Sequence, residues 1–277
     1  MPTYFAPGGS SVHYEEAHPT GHPPVVLLHG LGAMGESWRL QFPVLEALNF
    51  RVVAPDLPGF GWSSWPGGKV SIPRFAQLIA QFMEGVGAHP AHVVGISLGG
   101  TVALQLALDF PEMVRSLVLV NTFARLRPRT LNEWAYLLKR TLVARIMGVE
   151  KQADLVVQRI FPRPDQEALR RTLREQILRA NPKVYRATMS ALFRFNALPR
   201  LGEIRVPTLV VTGDQDTTVP PALQEAQLVR GIPHARHVII PGGGHAVIAD
   251  SPDAFNRVLE TFYKDITRET ASSGSVV

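Results

Sequence analysis

The sequence predicts an α/β fold in which a mostly parallel, doubly wound sheet is interrupted by a helical insertion. Three observations support this prediction. Short, mainly apolar runs recur along the chain, amphipathic stretches lie between them, and the alternation stops over one long basic segment. Runs without polar alternation are typical of parallel strands covered on both faces, and alternating strand and helix favours a doubly wound sheet. The 277 residues, 45% of them hydrophobic, suffice for a large core.

Six of these runs are predicted to be buried strands, because each is too short for a buried helix. They cover residues 25–28, 51–54, 93–96, 117–120, 208–211 and 237–240. Apolar residues spaced three and four apart predict helices elsewhere in the alternating part of the chain. These helices cover residues 72–86, 99–110 and 252–266.

The segment from about Phe123 to Leu201 is predicted to form a helical cap. Its pattern is helical, and its prolines mark breaks that leave helices over 165–180 and 182–195. We therefore divide the chain into a core domain, residues 1–122 and 202–277, and a cap, residues 123–201. A candidate apolar stripe of the cap consists of Trp134, Tyr136, Leu137, Leu138, Leu142, Ile146 and Met147.

Basic charge is concentrated in this segment. Residues 121–200 hold 17 of the 28 Lys and Arg residues but 6 of the 23 Asp and Glu residues. Either the cations solvate the outer helix faces, or they attract an anionic partner such as an acidic substrate, an acidic carrier protein or a lipid surface. No recognised nucleic-acid-binding motif accompanies the charge, so no nucleic-acid partner is predicted. The basic residues include Arg125, Arg127, Arg129, Lys139, Arg140, Arg170, Arg171 and Arg174.

Several classes of site and location are excluded or disfavoured. The chain has no cysteine, which excludes disulfides, thiolate metal sites and a cysteine nucleophile. It shows neither a secretory signal pattern nor a run of about 18 apolar residues, so we expect a cytoplasmic protein without a transmembrane segment. No metal site is expected at His13, His18 and His22, which lack carboxylates at ligand spacing. Surface positions are predicted for His89, His92, His234 and His237.

The strongest chemical signal is the G-x-S-x-G pattern of residues 95–99, which lies between a predicted strand and a predicted helix. A tight strand-to-helix turn exposes the serine oxygen, and the flanking glycines prevent clashes. Ser97 is therefore the predicted nucleophile, although a serine here could instead simply cap the helix. A serine alcohol needs a base. His245, in a glycine-rich loop between the last strand and the last helix, is the predicted base.

A carboxylate must hold that histidine in the correct tautomer. Asp216 follows the strand at 208–211 and is the preferred candidate, with Asp214 as the alternative because it is better placed to close the turn. Asn121, at the end of an earlier strand, occupies another position suited to the acid but carries an amide. The backbone N–H groups of Leu31 and Leu98 are the predicted oxyanion-hole donors.

With these motifs the chain resembles the α/β-hydrolase superfamily from about Val25 to Ile266. The resemblance rests on five segments taken in order, and Ser97 disfavours members that use an aspartate nucleophile. In particular, the chain resembles small esterases, lactonases and carbon–carbon bond hydrolases with a helical cap. The resemblance implies a cofactor-free enzyme whose cap roofs the substrate pocket. The matching segments are 29–32, 56–63, 95–100, 206–216 and 244–245.

The leading hypothesis is hydrolysis of carboxylic esters of small or medium acyl groups through an acyl-enzyme. The same three residues could serve an enol-lactonase or a carbon–carbon bond hydrolase of aromatic degradation, and a cofactor-free haloperoxidase side activity is a further alternative. A different class of function is a ligand receptor that keeps the fold and turns over slowly. The sequence leaves the oligomeric state open.

Overall fold

The computed structural model describes residues 2–7, 9–126, 135 and 148–273, with backbone alone at 270–273. Its strands are β1 (Thr3–Phe5), β2 (Ser11–Ala17), β3 (Pro24–Leu28), β4 (Arg51–Pro55), β5 (Ala91–Ile96), β6 (Val114–Val120), β7 (Thr208–Gly213) and β8 (Arg236–Ile240). They form one sheet in the order β1-β2-β4-β3-β5-β6-β7-β8. Strands β3 to β8 are parallel. The predicted α/β fold is confirmed, and all six predicted strands are present.

The sequence patterns did not predict β1 and β2, which extend the sheet with antiparallel pairing. Strand β2 carries polar residues at most of its positions and is half-buried along most of its length. It is held by backbone pairing to β4, where Tyr14 lies opposite Pro55. An apolar run is absent because this strand lies near the edge of the sheet rather than at its centre.

Before the insertion, the described helices of the core are α1 (Phe42–Ala47), α2 (Ile72–Gly85) and α3 (Leu98–Asp109). The insertion, after β6, contains α4 (Gly148–Ile160), α5 (Glu167–Arg179) and α6 (Pro182–Arg194). The chain then adds α7 (Pro221–Gln224), α8 (Val247–Asp250) and α9 (Pro252–Ser273). None of the described helices combines the length and hydrophobicity needed to cross a bilayer.

Two apolar layers cover the sheet. On one face α2 and α3 pack through residues such as Phe75, Phe82 and Val102, and this layer continues into the insertion through Tyr185. On the other face Trp38 and the α9 residue Phe255 pack against β3, β5 and β7. Both faces of the parallel strands β3 to β7 are therefore largely buried, which explains their continuous apolar sequence.

The insertion between β6 and β7 is helical in its described part. Helices α5 and α6 match the two predicted there, and α4 was not predicted as a separate helix. Several residues named in the predictions lie outside the described residues. They are Arg127, Arg129, Lys139, Arg140 and all seven residues of the predicted apolar stripe. The division into core and cap domains stays a prediction.

The two ends of the insertion lie side by side on the core. Arg125 and Asn196 form an antiparallel bridge, and the Ala197 N–H donates to the Ala124 carbonyl at 2.9 Å. Further along, the Asn181 N–H donates to the Gly59 carbonyl at 2.9 Å. The two ends of the insertion are thereby paired with each other, and its interior is bonded to the core through Asn181.

The prediction of a surface position is wrong for His92. This residue lies within β5 and is 9% exposed, and its Nδ1 is 2.7 Å from Ser116 Oγ. The predicted strand begins at residue 93 and leaves His92 at a turn, whereas β5 begins at Ala91 and the His92 ring packs against Phe50 and Tyr263. Burial and, to a lesser extent, the nearby Arg115 guanidinium lower the pKa of His92 to about 4.

His92 should make the protein less stable in mild acid. A histidine whose pKa is lowered on folding stabilises the fold fully above its unfolded pKa of about 6.5, and this contribution is lost as the pH falls towards 4. The loss at about pH 5 should be about 2 kcal/mol of unfolding free energy. We expect urea unfolding to show this loss in the wild type and a shallower pH dependence in His92→Gln. The exposed His89, changed to Gln, is the control, and equal slopes for wild type and His92→Gln would contradict the prediction.

Candidate active site

Ser97 lies at a sharp turn between β5 and α3. Its backbone has φ +53° and ψ −114°, a region that residues with a side chain rarely occupy. The turn requires glycine on both sides, because a Cβ on Gly95 would collide with the Gly99 carbonyl and one on Gly99 with the Leu28 carbonyl. The sequence pattern therefore has a steric cause in this structure.

Backbone contacts fix the strained serine. The Ser97 N–H donates to the Val120 carbonyl at 3.0 Å, and its own carbonyl accepts from Thr101 N at 3.0 Å and from Thr122 Oγ1 at 2.7 Å. Sequence reasoning missed Thr122, which no motif marks. These bonds hold the Ser97 side chain at the wall of a cavity.

The structure brings His245 and Asp216 together. His245 Nδ1 lies 2.8 Å from Asp216 Oδ2, and the two side chains are 8% and 0% exposed. The other oxygen of Asp216 accepts from the N–H groups of Thr218 at 2.7 Å and Val219 at 2.9 Å. A carboxylate only accepts hydrogen bonds, so this contact places the hydrogen on Nδ1 and leaves Nε2 as the acceptor nitrogen.

Asp214, the alternative acid, has a different position. It is exposed, and its Oδ1 accepts from the Gly242 N–H at 2.7 Å, which closes the turn after β8. The geometry therefore favours Asp216 over Asp214 as the partner of His245.

A half-buried carboxylate, Asp250, supports the histidine loop. Asp250 accepts from the Gly244 N–H at 3.1 Å and from Ser251 Oγ at 3.0 Å. Burial raises the pKa of Asp250, and its hydrogen bonds partly oppose that rise. The sequence analysis did not identify this residue, because nothing in its neighbourhood distinguishes it from an ordinary helix-end aspartate.

The loop after β3 lies close to Ser97. A Cβ on Gly30 would lie 3.7 Å from Ser97 Cβ, and Leu31 lines the same cavity. Leu98 is the first residue of α3, so its N–H has no acceptor within the helix. Both predicted oxyanion-hole donors are thus near the serine, and their role stays a prediction.

His29 holds that loop in place. With Nδ1–H donating to the Gly30 carbonyl at 2.7 Å, Nε2 accepts from the Leu57 N–H at 2.8 Å. Burial lowers the pKa of His29, which favours the neutral ring that these two contacts require.

Ser97 and His245 line one cavity of about 410 Å³ between the core and the insertion. No hydrogen bond joins Ser97 Oγ to His245 among the contacts of the described residues; such bonds often tighten only when substrate binds. The walls are mainly apolar and include Phe123, Val156, Ile160, Leu173, Leu192 and Val219. A cavity of this size and character suits a small organic molecule.

Polar side chains also line the cavity. Gln176 of α5 accepts from Ser37 Oγ at 3.1 Å and donates to Glu36 Oε1 at 3.0 Å. Arg39 and Arg159 also line the cavity. The cavity can therefore hold an apolar group together with a hydrogen-bonding or charged one.

The amino-terminal histidines are separated by the fold. His13 Nδ1 contacts buried Asp56 at 3.1 Å, and His18 Nε2 contacts Asn49 Oδ1 at 3.0 Å. Across the described ranges, no group of three or more His, Cys, Asp or Glu side chains could hold a metal ion.

Comparisons with known proteins agree with this architecture. A relative from Azorhizobium caulinodans named as a candidate carbamate hydrolase, RutD, is 34% identical over 95% of this chain and 98% of its own length. The enol-lactonase from Burkholderia xenovorans LB400 superposes with a TM-score of 0.85 at 26% identity, over 95% of this chain and 100% of that one. A thermophilic esterase from Thermogutta terrifontis gives a TM-score of 0.81 at 25% identity, over 96% and 98% of the two chains.

The profile of the α/β-hydrolase fold matches residues 23–252, which include every strand from β4 to β8 and all three of Ser97, Asp216 and His245. Because this match covers most of the chain, the protein belongs to the α/β-hydrolase family.

Proposed function

We propose that this hydrolase cleaves carboxylic esters of small or medium acyl groups through an acyl-enzyme. The observation that carries the proposal is the buried 2.8 Å contact between His245 Nδ1 and Asp216 Oδ2, in a cavity that His245 shares with the strained Ser97. A serine held in this way, with an oriented imidazole nearby, has the groups that nucleophilic acyl transfer requires.

In the proposed reaction, Ser97 Oγ attacks the ester carbonyl while His245 Nε2 accepts its proton. The carbonyl oxygen gains negative charge, which the N–H groups of Leu31 and Leu98 stabilise; one such donor is worth about 3 kcal/mol. His245 then gives the proton to the departing alcohol. Water, deprotonated by the same imidazole, attacks the acyl-enzyme, and the imidazolium then gives that proton to Ser97 Oγ as the acid leaves. Asp216 stabilises the imidazolium at each stage without becoming protonated.

A lactone is the second candidate substrate, favoured by the similarity to the enol-lactonase. Its carbonyl chemistry is the same, but its alcohol stays attached to the acyl group, so both parts must fit within the cavity at once. Carbamates are a third candidate class of substrate, because one relative is named for carbamate hydrolysis. Nitrophenyl esters from acetate to palmitate, a lactone panel and carbamate esters would rank these classes. No turnover of any class would favour the alternative of a ligand receptor.

Replacing Ser97 with Ala should lower ester hydrolysis by at least about 10⁴-fold, because the covalent step has no other nucleophile. The measurement is kcat/KM for a nitrophenyl ester, with circular dichroism to verify folding. A fluorophosphonate should label the wild type at Ser97 with one-to-one stoichiometry. Labelling at a different residue would show that the nucleophile is wrongly assigned.

Asp216→Asn should lower kcat by about 10³-fold or more, since an amide beside Nδ1 can favour the wrong tautomer of His245. Asp214→Asn is the matched control, because the amide keeps an oxygen for the Gly242 N–H. We expect the control to stay within about threefold of wild type, as is usual for a surface change. Equal losses in the two variants, measured by steady-state kinetics, would rule out Asp216 as the orienting acid.

We also propose that basic side chains draw an anionic substrate to the cavity. Part of the insertion's charge serves internal contacts: Arg170 is buried and donates to the Phe161 and Arg163 carbonyls at 2.7 Å. Arg39 and Arg159 line the cavity itself, while Arg39 also pairs with Glu15 and Arg159 donates to the Thr217 carbonyl. Charge lining a cleft raises the local concentration of an oppositely charged substrate.

The test compares neutral and anionic esters of matched shape at low and high ionic strength. We expect kcat/KM of the anionic ester to fall several-fold as salt rises, because screening shortens the Debye length to about 10 Å at 0.1 M. At low salt, Arg159→Gln should lower kcat/KM of the anionic ester, as added salt does in the wild type. Arg171→Gln, at an exposed position, should not lower it. Identical salt profiles for the two esters would overturn this proposal.

A further inference from the structure

We propose that Asn121 is a positioning residue for the base. Its buried amide joins the loop that carries Asp216 to the loop that carries His245, and so sets the distance between the two side chains. The inference rests on the proposed function, since it concerns how the proposed base and acid are held.

The Asn121 amide uses all of its hydrogen-bonding capacity. Nδ2 donates to the carbonyls of Gly244 at 2.9 Å and His245 at 2.8 Å. Oδ1 accepts from the Gly213 N–H at 2.9 Å and from Gln224 Nε2 at 3.4 Å. A primary amide has two hydrogens to donate and two lone pairs to accept with, so all four are engaged in a side chain that is 0% exposed.

The backbone of Asn121 is fixed as firmly as its side chain. The residue follows β6 directly, its N–H donates to the Val211 carbonyl of β7 at 3.0 Å, and its φ is +44°. Asparagine tolerates this left-handed conformation better than most residues with a side chain. Strand β6 lies between β5, which leads into Ser97, and β7, which leads into Asp216. Asn121 is therefore anchored to the rigid sheet at the point where the two loops meet.

Other contacts between the two loops reach the histidine loop at residues that precede His245. The Gln215 N–H donates to the Gly243 carbonyl at 2.9 Å, and the Gly242 N–H donates to Asp214. Among the hydrogen bonds of the described residues, the one from Asn121 is the bond that reaches the carbonyl of His245 itself. Asn121 thus acts on the base more directly than any of these contacts.

The geometry also specifies an amide rather than a carboxylate. Two of the three backbone groups that face Asn121 are carbonyl oxygens, which need donors, and a carboxylate can only accept. An aspartate would keep the contact with the Gly213 N–H, lose both bonds to the histidine loop and add a buried negative charge. An aspartate at this position would therefore loosen the loop instead of supplying a second acid.

Loss of the amide should act on the chemical step rather than on substrate binding. Asn121 is not among the residues that line the cavity, so its removal leaves the substrate contacts in place. A catalytic group displaced by about 1 Å can cost about 10²-fold in rate.

The experiment compares Asn121→Asp, which keeps the shape, with Asn121→Gly, which keeps the backbone conformation. Asn49→Asp is the matched control, because Asn49 is exposed and also has a positive φ, of +65°. Rates are divided by the amount of Ser97 labelled by fluorophosphonate, so that unfolded protein does not count. We expect kcat to fall at least about tenfold in both Asn121 variants with KM within about twofold, while Asn49→Asp matches wild type.

A further readout separates positioning from a general structural role. The low-field proton resonance of the histidine Nδ1–H, which reports the contact with Asp216, should weaken or shift in both variants. Unchanged kcat per labelled serine and an unchanged resonance would overturn the inference. A wild type that neither hydrolyses esters nor labels at Ser97 would overturn the proposed function, and this inference with it.

Discussion

The site depends on a carboxylate, Asp216, that is buried at the carboxyl end of the sheet. A buried charge is costly unless hydrogen-bond donors surround it. Asp216 receives donors from its own loop at Thr218 and Val219 and one from His245. The first two are bonds within the loop of Asp216, so they hold this carboxylate in place without any contribution from the histidine. Much of the surrounding structure serves to bring the histidine loop to that point.

The sheet provides this placement through close backbone contacts. Ser97 lies against the end of β6 through Val120 and Thr122, and Asn121, between those two residues, contacts β7 and the histidine loop. Three consecutive residues at the end of one strand thus contact the proposed nucleophile, the loop of the proposed acid and the loop of the proposed base. Their spacing is set by the central strands of the sheet, β5 to β7, which are largely buried on both faces and therefore resist deformation.

Sequence patterns predicted the central strands and the three proposed catalytic residues, because these depend on local rules. Buried parallel strands require apolar runs, and a serine at a tight turn requires glycines. The patterns missed β2, whose pairing needs no apolar run, and the burial of His92, whose environment comes from distant residues. They also gave no role to Asn121 and Asp250. Both side chains form hydrogen bonds with backbone atoms that lie more than five residues away or in other elements. Because backbone atoms are the same in every residue, such contacts cannot be identified from the sequence.

The paired ends of the insertion have a consequence for how such a protein can change. Arg125 and Asn196 bridge where the chain leaves the core and returns to it, so the intervening segment closes a loop whose ends the core already holds together. The entropic cost of lengthening such a loop grows only slowly with its length. One wall of the cavity can therefore be enlarged, shortened or exchanged for that of a relative while the register of β6 and β7 stays as it is. Substrate range and chemical machinery can accordingly diverge at different rates in the same chain.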